Sequence, residues 1–137
     1  MFLVNVLISL PVLLSGLYLV GLGVVAFAAP HRAKLFLSGF AISAFAHYFE
    51  LCVRFVIGGA LVWYAPHMKF PSLFMVFGWV LVVTTIGLCA IPWRWHHRFA
   101  AWSVPLATRN MALFGLGSLT GGIFLLLSVV LGPGIAP

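Results

Sequence analysis

The stretch His47-Tyr48-Phe49-Glu50-Leu51-Cys52-Val53-Arg54 holds the residue types best able to do chemistry, and Glu50 is the single acidic residue of the chain. Positions 47, 50 and 54 follow the i, i+3, i+7 spacing of one helical face, so a helix presents imidazole, carboxylate and guanidinium on the same side. An acid four residues ahead of a base is also the favourable order for an ion pair along a helix. Three kinds of chemistry fit this set. A buried Glu50–Arg54 ion pair can lock a helix against its neighbours, with His47 as a polar companion. Glu50 and His47 can carry protons or ions, because acids and histidines inside a membrane are the usual relay groups and imidazole titrates near neutrality. His47 can also ligate haem or a pigment, or hold a lipid, with Ser43 one turn earlier leaving room for a flat ring.

Other chemistries lack their residues. The chain has no second carboxylate to pass a proton to and two cysteines, Cys52 and Cys89, expected at different depths. It contains no Cys-x-x-Cys-His for covalent haem, no Gly-x-Ser-x-Gly, no Walker loop and no His-Glu-x-x-His. His96 and His97 are adjacent and diverge on a helix, while His31, His67 and His96–His97 fall near the ends of apolar runs, away from His47. No metal, no resident cofactor and no enzymatic activity are expected.

The elements that must position these residues follow from composition. Hydrophobic residues make up 64 % of the 137-residue chain and charged residues 6 %, against about 45–50 % and 25 % in soluble domains. The length accommodates a single all-α integral membrane domain over 1–137, a bundle of four transmembrane helices with short connections. The expected spans are about 2–28, 33–64, 71–91 and 111–131. The first is read as a retained span rather than a signal peptide, because no cation precedes its long apolar run. Within it, Ser9, Gly16 and Gly23 recur every seven residues and form a shallow groove for close helix packing. The second span carries a stripe of Gly39, Ser43, His47, Glu50 and Arg54, with Glu50 near mid-membrane, and ends at Trp63-Tyr64-Ala65-Pro66. Thr84 and Thr85 on the third are candidate partners, whose hydroxyls can bond back to their own helix or across to the polar face. The fourth offers Gly117-x-x-x-Gly121 and Ser118-x-x-x-Gly122.

Between the third and fourth spans, Trp95, Phe99, Trp102 and Leu106 follow i, i+4, i+7 and i+11, with Arg94, His97, Arg98 and then Arg109 around them. That is an interfacial amphipathic segment over about 93–106, breaking near Pro105, with its cations docking anionic headgroups or a partner subunit. Trp63, Trp93, Trp95 and Trp102 are the expected interface anchors. The first and third connections hold Arg32, Lys34, Arg94, Arg98 and Arg109, the second only Lys69. The cation bias therefore puts connections one and three in the cytoplasm and both termini in the periplasm of a bacterial inner membrane. An excess of cations placed between apolar runs suits anionic lipids, not nucleic acid.

Length and four-span plan are similar to those of the DoxX-like proteins and the membrane glutathione transferases. Phe49-Glu50-Leu51-Cys52-Val53-Arg54 departs from the transferase pattern of a Glu-Arg pair with a further Arg and Asn, so no residue role carries over. The expectation is a small non-enzymatic subunit or accessory protein that self-associates or joins a larger membrane complex. Its alternatives are a proton- or ion-conducting oligomer using Glu50 and His47, and a haem, pigment or lipid binder through His47.

Overall fold

The computed structural model describes residues 2–39 and 43–133, apart from the side chains of Phe2, His96 and Ala107. Every regular element among them is helical: α1 (Phe2–Ala28), α2 (Pro30–Gly39), α3 (Ala44–Tyr64), α4 (Pro71–Ala90), α5 (Trp93–Ala107) and α6 (Met111–Val130), plus a 3-10 turn at Ala65–His67. Four stretches, Leu3–Ala28, Ala44–His67, Pro71–Ala90 and Met111–Val130, are long and apolar enough to cross a membrane. At about 1.5 Å per residue, helices such as α4 and α6 reach about 30 Å, the thickness of a bilayer's hydrocarbon core. Large apolar side chains point outward along all four: Leu14, Phe45, Val76, Val83 and Leu113 are each more than 60 % exposed. That is the inverse of a soluble protein and fits a membrane-embedded one.

The helix ends have local causes. Pro30 opens α2, where its fixed φ suits a first helical position, and the helix is described as far as Gly39. Ser43 is extended (φ −139°, ψ 158°) and its hydroxyl accepts from the Ala46 N–H at 3.1 Å, capping α3. The expected second span from 33 to 64 is therefore two helices, with 40–42 outside the described residues. Gly39 belongs to α2 and the proposed continuous stripe ends at Ser43. Pro71 starts α4, and the Asn110 side chain caps α6 by accepting from the Leu113 N–H at 3.3 Å. α5 does not break at Pro105 but runs on to Ala107. A proline three residues from a helix end costs only its own bond to the preceding turn.

Glycine sets how the long helices meet. A Cβ on Gly16 would meet the Leu126 side chain and one on Gly122 the Gly16 carbonyl at 2.8 Å. A Cβ on Gly23 would meet the Gly115 carbonyl at 2.9 Å and the Leu119 backbone nitrogen at 2.8 Å. Two crossings a heptad apart on each helix align α1 and α6 antiparallel, with backbones almost touching. Gly58 and Gly78 do the same for α3 and α4, each Cβ meeting the other's carbonyl at 3.0 and 2.8 Å. Of the expected packing face of α6, Gly122 makes a close contact and the Gly117-x-x-x-Gly121 pair does not. Gly117 and Gly121 have nothing within 4 Å, and Gly115 with Gly122 makes the contact. Ser9 donates to the Val6 carbonyl of its own helix.

One end of the molecule gathers the main core: Val12, Ala60, Leu61, Tyr64, Ala65, Met68, Phe74, Leu125 and Val129. There the α3–α4 turn is pinned to α6, with the Lys69 N–H donating to the Ser128 carbonyl at 2.9 Å and Phe124 stacked on Phe70 and Phe74. At the opposite end, Ala33 of α2 is sealed against Ala26 of α1 and Met111 of α6, and α5 lies against α2. Gly122→Ile is expected to cost about 1–3 kcal/mol, because its new atoms meet backbone that cannot move aside. Gly121→Ala, in open space, is expected to be neutral. Unfolding of both variants in detergent titrations, followed by circular dichroism, measures the difference.

Candidate functional site

Six residues into α3, Glu50 stands about 9 Å along the helix axis from Ala44 at the standard rise. Arg54 falls at the middle of α3, so the polar face runs from the first turn of that helix at His47 to its centre.

The helix places the three residues as their spacing requires. Arg54 Nη1 donates to Glu50 Oε1 at 3.3 Å, one turn apart on α3. The pair is not the buried one expected: the Arg54 side chain keeps 32 % of its surface exposed and Glu50 24 %. His47 sits one turn earlier, 1 % exposed, with its ring 5.2 Å from that of Tyr48. α1 contributes a residue that no sequence pattern singles out. Tyr18 lies within electrostatic reach of Glu50, and its ring is 6.3 Å from Phe36 of α2. Tyr18 is far away in sequence and carries no motif, so only the crossing of α1 and α3 brings it here. The polar face thus lies beside α1 at the level of Tyr18, which α2 reaches through Phe36.

Of the two kinds of partner expected for the threonines, the hydroxyls take their own helix. Thr85 is 1 % exposed and stands near the level of Arg54, since Arg54 precedes Gly58 by one turn and Thr85 follows Leu81, a neighbour of Gly58, by one turn. Its hydroxyl donates to the Leu81 carbonyl at 2.6 Å, and that of Thr84 to Val80 at 2.6 Å. Both protons are used within α4, which leaves only lone pairs for any partner across the interface.

Arrangement restricts chemistry further. A planar macrocycle on His47 would need an open cleft beside the ring, and this ring is enclosed; Ser43, expected to leave room for it, is instead the α3 cap. Among the described residues no three His, Cys, Asp or Glu side chains come together to hold a metal ion. Cys52 and Cys89 are both free and exposed.

The remaining expected residues divide between the two ends. Trp63 is 63 % exposed near the end of α3, beside the main core. Trp93, Trp95 and Trp102 lie on α5 at the other end, as do Arg94, His97 and Arg98, with Arg109 just beyond. Trp95 and Trp102 are 70 % and 68 % exposed, and Trp93 sets its ring edge against His97 at 5.8 Å. Compared with protein-family models, with curated proteins and with solved structures, the chain matches none.

A pair of opposite charges in a membrane helix is tested by removing them singly and together. Glu50→Gln and Arg54→Gln are each expected to lower stability by about 1–2 kcal/mol, less than the roughly 2.5–3.5 kcal/mol of a lone charge at the bilayer centre. The double variant is expected to recover at least half of the larger loss. Denaturant titration in bicelles gives the coupling, and fully additive losses would show that the two side chains do not act as a pair.

Proposed function

We propose that the chain is a small non-enzymatic membrane protein, an accessory or structural subunit that self-associates or packs against a larger membrane complex. Its four long helices form a bundle, with α5 lying in the interface as an amphipathic segment. One observation carries this reading: the Glu50–Arg54 pair is a quarter to a third exposed on the flank of an apolar helix. Lipid tails offer no hydrogen bond to such groups, so a polar surface from another chain is the favourable neighbour. The short connections support the same reading. Outside the long helices the described residues contribute little beyond α2, α5 and two turns, so recognition falls to the membrane-facing flanks.

Ion conduction is the second reading, and the same exposed flank favours it. Copies meeting there would bring several Glu50 carboxylates around a common axis, each with its own His47 enclosed one turn away. A relay within one copy has no second carboxylate to use.

Native mass spectrometry after gentle extraction from the native membrane separates these possibilities. Masses at multiples of 14.9 kDa mean a self-contained oligomer, and a heavier assembly with other chains means an accessory subunit. A strictly monomeric chain in both detergent and native nanodiscs would overturn the subunit reading. If an oligomer forms, Glu50→Gln in liposomes distinguishes its roles. Unchanged assembly with lost pH-dependent flux establishes conduction, whereas impaired assembly without any parental flux establishes a structural pair.

The proposed orientation places the end bearing α2 and α5 in the bacterial cytoplasm and both termini in the periplasm, on the distribution of cations. A C-terminal alkaline phosphatase fusion is then expected to be active and a C-terminal green fluorescent protein fusion dark; the reverse pattern would invert the topology.

A further inference from the structure

Two short helices from different parts of the chain meet at one end of the molecule. Ala33, fully buried, seats α2 against α1 and α6, and α5 lies against α2. That seating leaves Arg32 and Lys34 of α2 exposed, together with Arg94 and Arg98 of α5 and Arg109 beyond it. Five of the seven Lys and Arg residues therefore share this end; the others are Arg54 on α3 and Lys69 in the α3–α4 turn. The only carboxylate side chain, Glu50, lies on α3 with Arg54 at 3.3 Å. No acidic side chain is interleaved with the cations of α2 and α5, and their mutual repulsion favours an anionic ligand.

The apolar face of the same helices identifies that ligand's chemistry. Trp95, Phe99, Trp102 and Leu106 are 57–70 % exposed along one face of α5, and Leu35 and Phe36 of α2 are 59 % and 49 % exposed. A nucleic acid or an acidic protein surface would meet the charges and leave these side chains in water. An anionic lipid covers both, phosphates against the guanidinium and ammonium groups and acyl chains against the rings.

We infer that α2 and α5 jointly form a headgroup site for an anionic lipid bearing more than one phosphate, with the long side chains of Arg32 and Lys34 flanking the seated Ala33 on α2 and Arg94 and Arg98 one turn apart on α5. The inference rests on the membrane-embedded reading and gives α2, an element hidden inside an expected span, a binding role. Two phosphates suit the site because four cations on two packed helices exceed what a single phosphate balances.

The test uses the full chain, delipidated in mild detergent and titrated with cardiolipin, phosphatidylglycerol or phosphatidylcholine, with bound lipid counted by native mass spectrometry. Cardiolipin is expected to bind at least about tenfold more tightly than phosphatidylcholine at low salt, with phosphatidylglycerol between them. R32Q/K34Q and R94Q/R98Q are each expected to weaken cardiolipin by about tenfold, and K69Q, at the other end, to leave it unchanged. Single variants Arg32→Gln and Arg98→Gln, at exposed positions, serve if a double variant loses its helicity, each with an expected loss of about threefold to fivefold. Equal affinity for the three lipids would overturn the site, as would a loss confined to the α5 pair. Displacement of cardiolipin by an equimolar single-stranded oligonucleotide would also overturn it, by revealing a general polyanion surface. Failure of the membrane reading is separately visible: the chain would then float with neither neutral nor anionic vesicles.

Discussion

The approach of helix backbones at glycine is the contact on which the remaining geometry depends. Between helices in lipid there is no hydrophobic driving force, since acyl chains are as apolar as leucine, so attraction comes from dispersion and weak polar contacts that fade within an ångström or two. Gly16 with Gly122 and Gly23 with Gly115 bring α1 and α6 within that range at two places. Two crossings fix direction as well as distance. Because α1 and α6 are the first and last long helices, their pairing closes the chain on itself and brings the connections on either side of it, α2 and α5, to the same end. The α3–α4 hairpin needs less, since its tight turn already makes it antiparallel and one crossing at Gly58 and Gly78 sets the spacing.

Four apolar helices were legible in the sequence because length and hydropathy are properties of composition, and composition survives any rotation of a helix. The break in the polar span was less visible, although its signals were present. Ser43 is a helix cap, but it is also a small residue, and in an apolar context its spacing with Gly39 reads equally well as a packing stripe. Hydropathy does not fall ahead of Ser43, so no pattern announced a helix start there. Choosing between Gly115 and Gly117 on α6 requires the rotation of that helix about its axis, which only its neighbour decides. Tyr18 illustrates a further limit. The i, i+3, i+7 spacing brought His47, Glu50 and Arg54 together because they share a helix, whereas a residue on α1 joins them only through tertiary structure.

The place of the pair along α3 sets its energetics. The penalty for a charge in lipid is greatest at the centre of the bilayer and falls toward the headgroups, where long side chains can reach polar surroundings. Glu50, in the first third of α3, therefore carries a smaller penalty than Arg54 at its middle, and the ion pair offsets part of both. Its surroundings matter too. α2 covers this part of α1, with Phe36 against Tyr18, and the same helix carries Arg32 and Lys34. Polar face and basic end are consequently neighbours joined by one ten-residue helix rather than features at separate depths.

That adjacency bears on how a lipid-facing event could reach the polar site. α2 is seated mainly through Ala33, a side chain with little area, so few contacts hold it in place by comparison with the long helices. An anionic lipid drawn to Arg32 and Lys34 would add to that seating from outside, and Phe36 would carry any change in α2 to the ring of Tyr18 beside Glu50. Linkage makes any such effect mutual: if lipid on α2 strengthens association at the Glu50–Arg54 flank, association strengthens lipid binding by the same free energy. On the proposed reading, subunit association and lipid occupancy are two ligands of one short helix.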